Sequence, residues 1–170
     1  MSYTNVDTIE PTDSQEAFVE SLALKKIIFG SRQIGKTTAL ALDAVDSARD
    51  SQKRGPFAVT APSMAQGRSL LDRCRDVAID QCGWDTVRST KTSLTLPDGG
   101  QIDYVPINDF YMSERSLAPS RAEEYEEIFV DEVDYVNEQA TESIIKSWDD
   151  GDVRGISFAG TARTDSPAIK

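Results

Sequence analysis

With 170 residues the chain has the length of one layered domain with a proper core and falls short of two domains of ordinary size. It holds no apolar run long enough to span a bilayer, and its opening, MSYTNVDTIEPTDSQ, lacks the basic and apolar regions of a signal peptide. A net charge of −11, from 29 acidic against 18 basic residues, argues against a broad basic face for nucleic acid, so any DNA contact is expected to be local or salt-tolerant. Asp outnumbers Glu and Arg outnumbers Lys. That bias suits a halophilic source, where salt screens the self-repulsion that loosens an acidic fold.

In chain order, ALKKIIF (Ala23 to Phe29) reads as a buried strand that stops at Gly30. TTALALDAVDSA follows with the helical spacing of Leu40, Ala44, Val45 and Ala48. PFAVTAPS is a short strand ending at Pro62, and Ser63 to Ile79 is helical through Leu70, Leu71, Cys74, Val77 and Ala78. WDTVRS, SLTLPDGG and QIDYVPI form a three-strand region, with a hairpin around Pro97-Asp98-Gly99-Gly100. Asn108 to Tyr125, with Pro119 and few apolar residues, reads as loop. EEIFVDEVDYV is a strand running into a turn, NEQATESIIKSW a helix capped by its Asn, and RGISFAGTA a last strand. Strands alternating with helices predict an α/β domain whose mostly parallel central sheet is flanked by helices on both faces. Cys74 and Cys82, in a chain without histidine, suggest neither a zinc cluster nor a disulfide framework, and both are expected to be reduced thiols.

Between the first strand and the first long helix stands Gly30-Ser31-Arg32-Gln33-Ile34-Gly35-Lys36-Thr37, followed by Thr38. Glycines in such a loop let backbone N–H groups curl around a phosphate chain, and the helix N-terminus adds partial positive charge. Lys36 is placed to reach the β- and γ-phosphates of ATP and the Thr37 hydroxyl to ligate Mg²⁺. A second carboxylate strand is needed for the metal, and IFVDE supplies it. Asp131 then falls at the carboxyl end of a buried strand and holds Mg²⁺, largely through water, while Glu132 is the general base for the attacking water. Kinases do not need that base, because their acceptor is a substrate hydroxyl. The pair therefore points to NTP hydrolysis.

Weaker signals surround this core. The side-chain amide of Gln15 offers one donor and one acceptor suited to an adenine edge, with a polar helix-start residue as the plain reading. Thr161, after the last strand, suits a sensor of the γ-phosphate, or is a simple strand-end threonine. Arg32, Arg115 and Arg121 are candidates to stabilise transition-state charge, or are solvated surface cations.

SRQIGKTT, VTAPSMAQGRSLL, LPDGGQIDYV, RSLAPSRAEEYEEIFVDEVDYV and SFAGTARTDSPA, in this order and spacing, resemble the ATPase domain of the terminase large subunit, the viral DNA-packaging motor. The resemblance runs from about Gln15 to the end of the chain. It implies a P-loop NTPase of the ASCE, RecA-like type, with Lys36 and Thr37 as the Walker A pair and Asp131 and Glu132 as the Walker B pair. Ala159-Gly160-Thr161 becomes the coupling motif, and Gln15 falls in the adenine-recognition motif. It further implies double-stranded DNA, a portal protein and a small terminase subunit as partners. The motor would be a homo-oligomeric ring working in the host cytoplasm at the procapsid portal, with an arginine finger, Arg121 or Arg32, completing each site. Together with the acidic bias, the resemblance suggests a virus of a halophilic archaeon.

The expected organisation is an N-terminal segment over 1–22 carrying the adenine motif and an ATPase domain over 23–170. The RNase H-like nuclease usual in that family is not expected in this chain. VTAPS, DEVD and GTA also resemble helicase motifs, so a helicase-type ATPase domain is the alternative, with a regulatory nucleotide-binding module or nucleotide kinase as the third reading.

Overall fold

Side-chain alternation on the strands decides which helices cover which face. In the computed structural model, which describes residues 12–20, 24–29, 35–50, 52–53, 55–111 and 120–161, Phe57 and Val59 of β2 (Phe57–Thr60) belong to one apolar cluster and Ala58 to a second. The same split recurs in β6 (Glu127–Val130), where Phe129 joins the first cluster and Ile128 and Val130 the second. Both faces of the sheet are therefore buried, the pattern of a parallel sheet between helical layers.

Seven strands form one sheet in the order β1-β7-β6-β2-β5-β4-β3. The others are β1 (Lys25–Phe29), β3 (Arg88–Ser89), β4 (Ser93–Thr95), β5 (Gln101–Tyr104) and β7 (Gly155–Gly160). β1, β7, β6, β2 and β5 run parallel, and β4 and β3 continue the sheet antiparallel. One layer holds α1 (Asp13–Glu20), α2 (Lys36–Arg49) and α3 (Met64–Cys82), and the other holds α4 (Glu138–Asp149) with 3-10 turns at Ile107–Phe110, Ala122–Glu124 and Val133–Tyr135. Among the described residues no helix is long and apolar enough to cross a membrane.

α2 is buried around most of its circumference, through Ala39, Leu40, Ala41, Leu42, Ala44, Val45 and Ala48, because it lies between α1, α3 and the sheet. One charged link fixes it over the strands. Asp43 accepts from Lys26 Nζ of β1 at 2.8 Å and from Ser157 Oγ of β7 at 3.0 Å. Burial pushes the Asp43 carboxyl above its ordinary value, and the Lys26 and Ser157 bonds oppose that shift. α3 opens on Ser63, whose Oγ accepts from Gln66 N, and α4 on Asn137, whose side chain accepts from Gln139 N.

Besides α1, which precedes the first expected strand, the sequence pattern differs from the structure in three places. WDTVRS contributes only the two-residue β3, because the residues before it form turns after α3. α3 runs on to Cys82, beyond the expected end at Ile79, and stops at Gly83 with φ +90°. The loop expected from Asn108 to Tyr125 holds 3-10 turns that bury Phe110 and Ala122, and its residues 112–119 lie outside the described part.

Candidate active site

Parallel strands end on one edge of a sheet, and that edge gathers the chemistry here. β1 ends at Phe29, β7 at Gly160 and β6 at Val130, with Phe29 opposite Gly160 and Val130 opposite Phe158. In sequence the stretch expected to hold phosphate follows β1, Thr161 follows β7, and Asp131-Glu132 follows β6. Ligands of open α/β sheets bind beyond such carboxyl ends.

Gly35 caps α2 in the left-handed region at φ 71°, ψ 35°, which suits a residue without a side chain. A Cβ there would lie 2.4 Å from Gln15 Nε2. Gln15 is buried, and its Nε2 donates to Gly35 O at 2.9 Å while its Oε1 accepts from Thr12 N at 2.9 Å. The residue expected at adenine thus clamps α1 to the end of the phosphate loop. One N–H and one Oε1 lone pair of its amide lie beyond those two bonds.

Lys36 and Thr37 open α2, with Lys36 only 6% exposed. Thr37 Oγ1 donates to Asp131 Oδ2 at 2.7 Å, joining two motifs 94 residues apart. Asp131 Oδ1 accepts from the Glu132 backbone N–H at 2.9 Å, and the Asp131 N–H donates to Thr60 O at 3.0 Å. Burial pushes the Asp131 carboxyl above its usual range, opposed by the Thr37 and Glu132 bonds and by the charge of Lys36. The same burial keeps Cys74 neutral, since its thiol is raised by desolvation and further by the charge of Asp131.

Glu132 stands in the left-handed region at φ 49°, ψ 43°. Among the described residues it is the one non-glycine with positive φ. A residue with a side chain held there stores backbone strain of about 1–3 kcal/mol, a cost typical of functional turns. The consequence is a sharp reversal between β6 and the Val133–Tyr135 turn that sets the Glu132 side chain at the sheet edge.

Gly160 closes the site from the side. A Cβ on it would lie 2.8 Å from Asp134 Oδ2, 2.9 Å from Val133 Cγ1 and 3.1 Å from Phe29 Cε1. Gly160 is therefore the point where the ends of β1 and β7 meet the turn after β6. Both carboxylate oxygens of Asp134 are buried without a hydrogen-bond partner among the described residues. Sequence reasoning passed over Asp134, and the signal available was its place in DEVD, just after the expected Asp131-Glu132 pair.

Of the expected residues, Gly35, Lys36, Thr37, Asp131, Glu132 and Thr161 fall on this edge, and Thr38 follows in α2 as a half-buried residue. Gly30, Ser31, Arg32, Gln33, Ile34 and Arg115 lie outside the described residues. Arg121 is held elsewhere. Its guanidinium donates to Glu124 Oε2 at 2.7 Å, to Asp109 Oδ2 at 3.3 Å and to Tyr125 Oη at 3.0 Å. Tyr125 in turn reaches Asp103 of β5, so Arg121 lies beside β5, with β2 between that strand and β6.

The oxygens of Thr37 and Asp131 fit Mg²⁺. They are hard donors side by side, and Mg²⁺ keeps several waters and takes few protein ligands besides phosphate oxygens. Among the described residues no group of three or more acidic, cysteine or histidine side chains converges.

No protein-family model and no curated protein matches the chain. Solved structures do. The large terminase ATPase domain of Thermus phage P74-26 superposes with a TM-score of 0.64 at 14% identity, over 92% of this chain and 67% of that one. The large terminase of bacteriophage HK97 gives 0.67 at 14% identity, over 95% of this chain and 35% of that one. The chain has the fold of a terminase ATPase domain. This terminase-like fold is RecA-like, and the UvsW helicase of bacteriophage T4 shares it, with a TM-score of 0.61 at 16% identity over 95% of this chain and 56% of that one. In the sheet order one strand, β7, lies between β1, which precedes the glycine-rich stretch, and β6, which precedes Asp131.

Proposed function

We propose that this chain is an ATP-hydrolysing domain of a terminase-like motor that drives double-stranded viral DNA into a procapsid. The observation that carries the reading is the 2.7 Å bond from Thr37 to Asp131, with Glu132 adjacent on the same edge. It supports the reading by bringing together the hydroxyl and the carboxylate that would ligate Mg²⁺, next in sequence to the Glu132 that would act as general base.

In this reading the loop N–H groups and Lys36 hold the β- and γ-phosphates, and Thr37 and Asp131 hold Mg²⁺. Mg²⁺, when bound, neutralises charge on the β- and γ-oxygens. Glu132 orients a water in line with the γ-phosphorus and accepts its proton as the P–O bond to the β-phosphate breaks, releasing ADP and phosphate. Thr161, directly after Gly160, senses the loss of the γ-phosphate, and Gly160 passes that change to the turn carrying Asp134. Residues 23–170 form the ATPase domain and 1–22 an N-terminal segment whose Gln15 contacts the nucleotide side of the loop. The partners are portal protein, small terminase subunit and further copies of the chain in a ring, at the procapsid in the host cytoplasm. The bacteriophage Phi-29 viral genome packaging motor assembly, with a TM-score of 0.55 at 15% identity over 89% of this chain and 48% of that one, supports a packaging-motor setting.

A helicase-type domain is the second reading, favoured by the likeness to UvsW. Steady-state ATP hydrolysis at low and multimolar KCl, with and without duplex or single-stranded DNA, separates the two. Stimulation by duplex without strand separation supports packaging. Stimulation by single strands alone, or unwinding of a forked duplex, contradicts it.

A further inference from the structure

The chain carries −11 overall, yet one open groove reverses that sign. It has a volume of about 470 Å³ and is lined by Arg68, Asp72 and Arg75 of α3 and by Ser89, Thr90 and Lys91 of the β3–β4 connection. Three cations stand there against one carboxylate. Asp72 pairs with Arg75 at 3.3 Å, and among the described residues neither Arg68 nor Lys91 makes an ion pair.

The groove is built by packing. A Cβ at Gly67 would lie 2.2 Å from Tyr104 Cε2, so the backbone of α3 rests against that ring. The Tyr104 N–H in turn donates to Thr92 O at 2.9 Å. Those two contacts set Arg68 beside the β3–β4 turn. They also place the turn at the carboxyl end of β5, on the same sheet edge as Asp131. Between β6 and β4 lie three strand spacings, or about 14 Å.

We infer that this groove is where the chain grips the phosphate backbone of duplex DNA. The proposal rests on the packaging reading and gives it a surface. Apart from Asp72, which pairs with Arg75, its lining is cations and hydroxyls, with no apolar or aromatic residue among the described residues. Phosphate contacts are made by such groups. A protein interface would need an apolar core, and a single-strand channel would need aromatic rings for the bases. Arg68 and Arg75 are two helical turns apart, about 10 Å along α3, which spans about three phosphate steps of one strand. A grip so near the hydrolytic edge lets a shift at β6 move the DNA.

The test is the affinity of the full chain for a mixed-sequence fluorescent duplex as a function of KCl, with folding verified by circular dichroism at each salt. The variant R68A/R75A/K91A should keep its basal ATP hydrolysis and its melting temperature. Its duplex affinity should fall at least tenfold, and the slope of log K against log[salt] should shrink by about 0.9 per lost contact, near 3 in all. R68K/R75K, which keeps the charge, should retain most of the affinity, and K146A, at an exposed cation elsewhere, should be neutral. Unchanged affinity and slope in the triple variant, with wild type binding duplex, would overturn the groove and leave the packaging reading standing. Tighter binding of single strands, or displacement of duplex by poly-glutamate at equal charge, would also overturn it, the latter in favour of an acidic protein. Failure of the wild type to bind duplex at any salt would overturn the packaging reading together with the groove.

Discussion

Thr37 Oγ1 donates to Asp131 Oδ2 across 2.7 Å, so the start of α2 and the end of β6 are tied at the point where a nucleotide-bound metal would sit. Asp131 is held there at a cost, because burial raises its carboxyl above the ordinary value. A carboxylate whose folded pKa is raised binds a proton more readily folded than unfolded, so its charged form weakens the fold at neutral pH. The penalty fades as pH falls through the folded value. Asp131→Asn is therefore expected to melt a few degrees higher than wild type at pH 7, with the gap narrowing toward pH 4, while Mg²⁺-dependent ATP hydrolysis is lost. Melting curves across that range check the sign; a variant that melts lower at pH 7 refutes it.

Gly67 predicts a coupled pair. Gly67→Ala forces a methyl into the Tyr104 ring, with 2.2 Å to Cε2, and should cost roughly 1–3 kcal/mol. Tyr104→Leu in the same chain should recover part of that loss, giving a favourable interaction term in a double-mutant cycle. Additive losses would mean that α3 and β5 are not in this contact.

The acidic surface predicts a salt dependence. At about 0.1 M the Debye length is near 10 Å and at 1 M near 3 Å, so repulsion among the acidic groups should fade between the two. Melting temperature and ATP hydrolysis should both rise with KCl over this range. A melting temperature that falls steadily with added KCl contradicts the halophilic reading.

Arg121 is proposed to act on a neighbouring subunit's nucleotide. An arginine finger is worth roughly 10³ to 10⁵ in turnover, so specific activity should climb with protein concentration. Arg121→Ala and Lys36→Ala, each inactive alone, should regain activity when mixed. Because Arg121 also holds Asp109 and Glu124, the variants Asp109→Asn and Glu124→Gln serve as controls and should remain active. A mixture that stays dead while both proteins co-assemble moves the role to Arg32.

The parallel sheet was legible in the sequence because its strands alternate with helices, and so were the helix start at Lys36 and the strand end before Asp131, each a local pattern. What joins them was not. The Gln15 bond to Gly35, the burial of Asp134 against Gly160 and the shared groove of Lys91 and Arg68 depend on how separate elements pack, which periodicity does not encode. Arg121 shows the same limit. Its placement in a polar, loop-like stretch gave exposure, whereas its partners Asp109, Glu124 and Tyr125 come together only through the 3-10 turns.

The division of labour between Lys36 and Glu132 is the most direct test of an ATP-hydrolysing site. Equilibrium binding of labelled ATP with Mg²⁺, measured beside single-turnover hydrolysis for wild type, Lys36→Ala and Glu132→Gln, separates holding the phosphates from activating the water. Lys36→Ala should lose tight binding. Glu132→Gln should bind like wild type and hydrolyse at least about 10²-fold more slowly, the loss expected for a general base. Equal loss of binding in both variants, or hydrolysis by Glu132→Gln at the wild-type rate, would contradict the assignment.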